Sequence, residues 1–235
     1  MLSRSLLSLI VPVAILFGAV PASAESRLAL VIGQSAYKSV PALPNPANDA
    51  RAMSQMLTDA GFAVTTASDL SQDEMRARIS DFAGQVAAKG ADSVALVFYA
   101  WHGLQIDGEN YLVPVDVDPK READIPIQAV RLNDILNTLT SVPSRMRIVL
   151  LDACRNNPMA PQVASAGPSR GIETGSGLAA PATLGSGSTL GAGTLIAFAT
   201  APGQVALDGE GANSPFSAAL SRHVGTPGLE VQQML

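Results

Sequence analysis

Two runs, Asp92 to Ala100 (DSVALVFYA) and Met146 to Leu151 (MRIVLL), are apolar at nearly every position and show none of the in–out alternation of a half-exposed strand. Strands of that kind are buried on both faces, which in a soluble protein means the centre of a parallel sheet covered by helices. A third, short apolar run, Arg27 to Gly33 (RLALVIG), is closed by Gly33 and reads as a strand. Between the runs the apolar spacing changes to three and four. Met53, Met56, Leu57 and Ala60 lie on one face of a helix starting near Asp49, and Met75, Ile79, Phe82 and Val86 on one face of a helix over 73–87. FAVTT at 62–66 reads as a short strand, RLNDILNTL at 131–139 as a helix, GTLIAFAT at 193–200 as a strand, and residues 214–224 as a helix. Asp107-Gly108 marks a small hairpin, and GLEVQQML starts a further helix at the end of the sequence. Alternating β and α segments imply right-handed crossovers and a mostly parallel α/β sheet flanked by helices.

Residues 5–20 (SLLSLIVPVAILFGAV) follow Arg4 and precede Ala22-Ser23-Ala24, the pattern of a cleaved export signal. Residues 1–24 are therefore read as a signal peptide and 25–235 as one domain, placing the protein in the periplasm or outside the cell. Removal costs one charge, Arg4, and leaves 14 basic against 20 acidic side chains. That balance argues against a nucleic-acid partner. Residues 159–193 hold 8 Gly, 5 Ser and 7 Ala with Arg170 and Glu173 as the only charges, the makeup of a flexible surface loop. No P-loop, zinc spacing or dinucleotide glycine pattern occurs, so no cofactor is expected.

Ligands of open α/β sheets bind beyond the carboxyl ends of the strands. His102-Gly103 follows the first buried run and Asp152-Ala153-Cys154 follows the second, Cys154 being the single cysteine of the chain. If the two strands are neighbours, imidazole and thiol share one rim, the arrangement in which a histidine takes a thiol proton and later protonates a departing amine. Residue types alone leave a second reading open, in which His102 closes a strand and Cys154 is a small buried hydrophobe. His223, the other histidine, is read as a surface residue near a helix end.

The segments RLALVIGQSAY, NPANDARAM, VFYAWHG, GENYLVPVD, IVLLDACRNNP, GTLIAFATAPGQVA and NSPFSAAL together resemble the caspase-like cysteine peptidases, most closely their bacterial metacaspase-like branch, the orthocaspases. The 52-residue spacing from His102 to Cys154 matches the histidine about 50 residues upstream of the caspase cysteine. The resemblance implies a caspase-like α/β sandwich, Cys154 as nucleophile, His102 as general acid and base, and the N–H groups of Gly103 and Cys154 as oxyanion donors, each contributing about 3 kcal/mol. Its expected partner is a protein or peptide substrate.

Where aspartate-specific caspases carry glutamine two positions before the cysteine, this chain has Asp152, which by alternation shares a face with Cys154. Asp49 matches a second pocket acid of metacaspase-like enzymes, and two carboxylates suit a guanidinium. Cleavage after Arg or Lys is therefore expected. Two other readings stand beside this: Asp49 caps the helix that begins there, and Asp152 is a structural strand-end carboxylate. Trp101 replaces the small residue that relatives place before His-Gly, and an indole there is expected to narrow the cleft or touch substrate. Arg170-Gly171 is the basic bond within the glycine-rich loop and a candidate for self-cleavage. Some metacaspases are calcium-activated, and Asp116, Asp118, Glu122 and Asp124 are candidate oxygen ligands, though without regular spacing. A caspase-fold binding or scaffold protein with weak turnover, and a cysteine hydrolase acting on non-peptide acyl groups, are the alternative functions.

Overall fold

A computed structural model describes residues 25–39, 42, 44–154, 193–200 and 209–223. The apolar runs become the strands β1 (Arg27–Gly33), β3 (Val94–Ile106) and β6 (Met146–Cys154), joined by the shorter β2 (Ala63–Ser68) and β7 (Thr194–Phe198). All five are parallel, in the order β2-β1-β3-β6-β7. The helices α1 (Asn45–Asp59), α2 (Gln72–Lys89), α4 (Leu132–Thr140) and α5 (Pro215–His223) are distributed over both faces, with α3 (Ile125–Gln128) a single turn.

Side-chain alternation divides the core in two. Leu28, Leu30, Val97, Tyr99, Val149 and Leu151 face α2 and α4. Ala29, Val31, Leu96, Phe98, Ile148 and Leu150 face α1 and α5 with Met53, Leu57 and Leu220. Phe98 and Tyr99 are both fully buried on opposite faces, which is why β3 shows no alternation in sequence. Each such side chain contributes about 1.5–3 kcal/mol of transfer free energy.

Beyond the end of β1, its side of β3 is taken over by the antiparallel β4 (Glu109–Leu112), which then pairs with β5 (Val130–Arg131). The β3–β4 turn has positive φ at both Asp107 (50°) and Gly108 (79°), the signature of the primed hairpin expected from Asp-Gly.

One local feature differs from the sequence reading. Helix α1 starts at Asn45, with Pro46 in its first turn, so Asp49 lies within the helix and not at its cap. Proline lacks the N–H that a first-turn residue would leave unbonded, so it is accommodated there. At α2, Ser71 and Glu74 form a reciprocal capping box. Helix α1 also crosses β1 closely: a Cβ on Gly33 would lie 2.7 Å from the Pro46 carbonyl oxygen and 2.8 Å from Ala50 Cβ. The expected loop over 159–193 and the terminal helix over 228–235 fall outside the described residues, apart from Gly193 in a turn before β7.

Candidate active site

Strands β3 and β6 run further than their apolar stretches. His102 lies within β3 and Cys154 closes β6, and the parallel register pairs the two residues directly, following Ala100 with Asp152 and Trp101 with Ala153. Adjacent strands are about 4.8 Å apart, so residues 102 and 154 occupy the same level of the sheet. The Cys154 side chain lies outside what is described.

The strand is irregular at this level. Ala95, Val97, Tyr99 and Trp101 face the α2/α4 core, whereas beyond His102 the residues facing it are Leu104 and Ile106. The inward parity slips from odd to even across His102-Gly103, as happens at a bulge. The backbone of Trp101 has φ 146°, a region normally reserved for glycine and costing on the order of 1–3 kcal/mol for other residues. Gly103 faces Leu112 of β4 in register and is buried.

Trp101 is 1% exposed. The expectation that it lines the cleft is corrected: the strand turns its indole into the core, where it stacks on Tyr37 at 4.6 Å between ring centroids and meets the His102 ring at 3.7 Å, inclined 64°. The Trp101 Nε1 and the His102 Nδ1 are both buried without a hydrogen-bond partner among the described residues. Two tyrosines hold the main chain around them. Tyr99 Oη lies 3.1 Å from the His102 carbonyl oxygen and accepts from Val113 N at 3.2 Å, and Tyr37 Oη donates to the Val113 carbonyl at 2.6 Å. The loop carrying Tyr37 is fixed by Asp69, whose carboxylate accepts from Ser35 N and Ala36 N, and by Gln34, which exchanges two hydrogen bonds with the Leu70 main chain.

His102 is 9% exposed. Burial alone pulls its pKa down from 6.5 to about 3, because the imidazolium would lose hydration that no carboxylate among the described residues replaces. The ring is therefore neutral through the physiological range and retains a lone pair able to accept a proton.

The two acids singled out from sequence also converge. Asp152 points to the α1/α5 side, where its Oδ2 accepts from the hydroxyls of Ser214 and, at 2.6 Å, Ser217. Asp49, from α1, accepts from Ser214 N at 3.0 Å and Asn213 Nδ2 at 2.9 Å through Oδ1. Ser214 thus touches both carboxylates while its Oγ caps α5 by accepting from Ser217 N. Both acids are buried, at 2% and 7% exposure, and burial pushes the Asp152 carboxyl up while the serine hydroxyls pull it back. Asn213, Ser214 and Ser217 carry no role in the sequence reading, although all three sit in or beside the NSPFSAAL segment.

The remaining candidates lie apart. His223 is exposed at the end of α5, and Arg170 is outside the described residues. Asp116 accepts from Gln72 N, Asp118 pairs with Lys120 at 2.7 Å, and Asp124 binds the Arg121 guanidinium and two main-chain N–H groups. Among the described residues no three acids, histidines or cysteines gather as metal ligands, and no helix is long and apolar enough to cross a membrane.

A family model described as the caspase domain of peptidase C14 matches residues 26–235. Curated relatives include human mucosa-associated lymphoid tissue lymphoma translocation protein 1, 30% identical over 133 residues, which are 56% of this chain and 15% of that protein. Caspase-1 of pig is 28% identical over 57% of this chain and 32% of the relative, and caspase-1 of rat 30% over 56% and 31%. The matched region spans less than a third of each relative's length.

Proposed function

Given that the chain belongs to the caspase-domain peptidase family, we propose that it is a cysteine endopeptidase in which Cys154 and His102 carry the chemistry and Asp49 and Asp152 select a basic residue. The observation that carries this reading is the register of β3 on β6, which sets residues 102 and 154 side by side at the carboxyl end of the two central strands.

On this reading the neutral His102 ring takes the Cys154 thiol proton as the sulfur attacks the scissile carbonyl carbon. The resulting oxyanion is held by the N–H groups of Gly103 and Cys154. Collapse expels the amine, which leaves with the proton from the imidazolium, and water then hydrolyses the thioester by the reverse sequence. The low proton affinity of buried His102 favours its return to the neutral state, which drives that proton onto the leaving amine.

Specificity for Arg or Lys is supported by the convergence of two carboxylates on Ser214, at the level of the sheet just before residue 154. A guanidinium entering there gains charge-assisted bonds from both acids. We further propose that residues 1–24 direct export, so that the domain acts outside the cytoplasm. Burial of His102 favours the rival reading, a binding protein with weak turnover. Fluorogenic peptides ending in Arg, Lys or Asp, with Cys154→Ala as control, decide between them. Cleavage after Arg or Lys that the variant lacks is the expected result. Equal rates in the variant, or a preference for Asp, overturn the assignment.

A further inference from the structure

We infer that Trp101 is a positioning residue for His102, fixing the imidazole by aromatic packing where a base of this kind is ordinarily oriented by a polar partner. The inference rests on the reading of His102 as the proton-transfer group. Four observations carry it. The His102 Nδ1 is buried with no hydrogen-bond partner among the described residues, so no described acceptor sets the angle of the ring. The ring contact at 3.7 Å and the Tyr37 edge at 5.7 Å bound the imidazole instead. The indole is itself held from below by Tyr37. Finally, its backbone adopts φ 146° immediately before the point where the inward parity of β3 slips, and strain of this sort persists only where surrounding structure imposes it.

The geometry has a plain logic. Along β3, Trp101 and His102 are neighbours, and regular alternation would send their side chains to opposite faces. The distorted backbone at 101 lets two consecutive rings touch. Ser-, Cys- and Thr-based hydrolases usually orient their base through a third, hydrogen-bonding group. Here the third group is an aromatic ring that restrains the imidazole by packing, while burial keeps the histidine neutral. Among the described residues the titratable groups beside His102 are Tyr37, whose ring edge meets the imidazole, and Tyr99, whose hydroxyl lies against the His102 carbonyl, and burial pushes both phenols above their usual range.

The chain holds a single tryptophan and two histidines, so histidine-labelled protein gives two resonances that are easily assigned. Trp101→Leu keeps an apolar side chain and the same backbone demand while removing the ring. It is expected to lower kcat about tenfold or more, since small misplacements of a reacting group cost up to about a hundredfold, with KM within about twofold. The His102 resonance is expected to titrate nearer to the ordinary histidine value, and Trp101→Phe to recover most of both changes. Should Trp101→Leu unfold, Tyr37→Leu, which removes the support beneath the indole, is measured in the same way. An unchanged His102 titration and kcat in the leucine variant, or a phenylalanine variant as impaired as leucine, overturns the inference. The titration needs no turnover, so failure of the peptidase reading, seen as a wild type no faster than Cys154→Ala, is distinguishable from failure of this one.

Discussion

Replacing Asp152 by asparagine separates a specificity role from a structural one, because the two predict opposite signs for stability. The asparagine carbonyl can accept the Ser214 and Ser217 hydroxyls that now bond to Oδ2, so the network keeps its shape and loses its charge. Bonds to a charged acceptor contribute about 1.5–3 kcal/mol against about 1 for a neutral one, a loss on the order of 0.5–2 kcal/mol per bond. Opposing it is the burial that raises the carboxyl pKa, which means that the ionised form is disfavoured in the folded state overall. The folded protein holds this proton more tightly than the unfolded chain, so between the unfolded value of 3.8 and the raised folded value, stability falls as pH rises. The Asp152→Asn variant escapes that penalty at neutral pH. The net expectation is a protein of equal or greater stability at pH 7, with a flatter stability profile above pH 4. Cleavage after Arg should nevertheless collapse: truncating one partner of a buried charge pair costs about 2–5 kcal/mol, or roughly 30- to 5,000-fold in kcat/KM. Urea unfolding at several pH values and fluorogenic turnover provide the two measurements. Marked destabilisation with Arg cleavage intact would show that the carboxylate serves the fold alone.

Three further outcomes follow from the packing. Depressed proton affinity at His102 means that the unfolded chain binds a proton the folded one refuses between pH 6.5 and about 3, so stability should decline by up to about 1.4 kcal/mol per pH unit as pH falls through that window; His102→Gln should remove this part of the dependence in acid-titrated urea melts. Gly33→Ala forces a Cβ against the Pro46 carbonyl and should cost about 1–3 kcal/mol, read as a shift in urea midpoint. Ser71→Ala breaks the capping box of α2 and should cost about 1 kcal/mol, visible as a lower thermal midpoint with activity retained.

Much of the architecture is legible in the sequence because burial on both faces leaves an unmistakable imprint on β1, β3 and β6. The ends of those strands are not. In Trp101-His102-Gly103 the apolar run stops while the strand continues, since pairing with β6 and β4 supplies the main-chain bonds that the composition no longer advertises. Trp101 reads as a cleft residue by comparison with relatives that carry a small residue before His-Gly, yet the odd-numbered inward face of β3 continues through 101 and buries the indole in the α2/α4 core. Asp49 resembles a cap because Asn and Asp mark helix starts, yet Pro46 allows the helix to begin four residues earlier. His102 and Cys154 stand out by their places after buried strands, but their direct pairing is a property of register, which no single segment encodes. Ser214 and Ser217 fall within the NSPFSAAL segment, but their bonds to the carboxylates are hidden, as serine near a helix start is ordinary and the partners are remote in sequence.

That remoteness bears on when specificity can arise. Asp49 and the Ser214 amide are separated by 165 positions, and Asp152 from the Ser217 hydroxyl by 65. During synthesis both acids leave the ribosome well before the serines that satisfy them, and closing so long a span is entropically slow. Until α5 docks, water takes the place of those donors. On the proposed reading, the two acids that would recognise a basic side chain are synthesised before the α5 donors that hold them, so their final arrangement waits on the docking of α5.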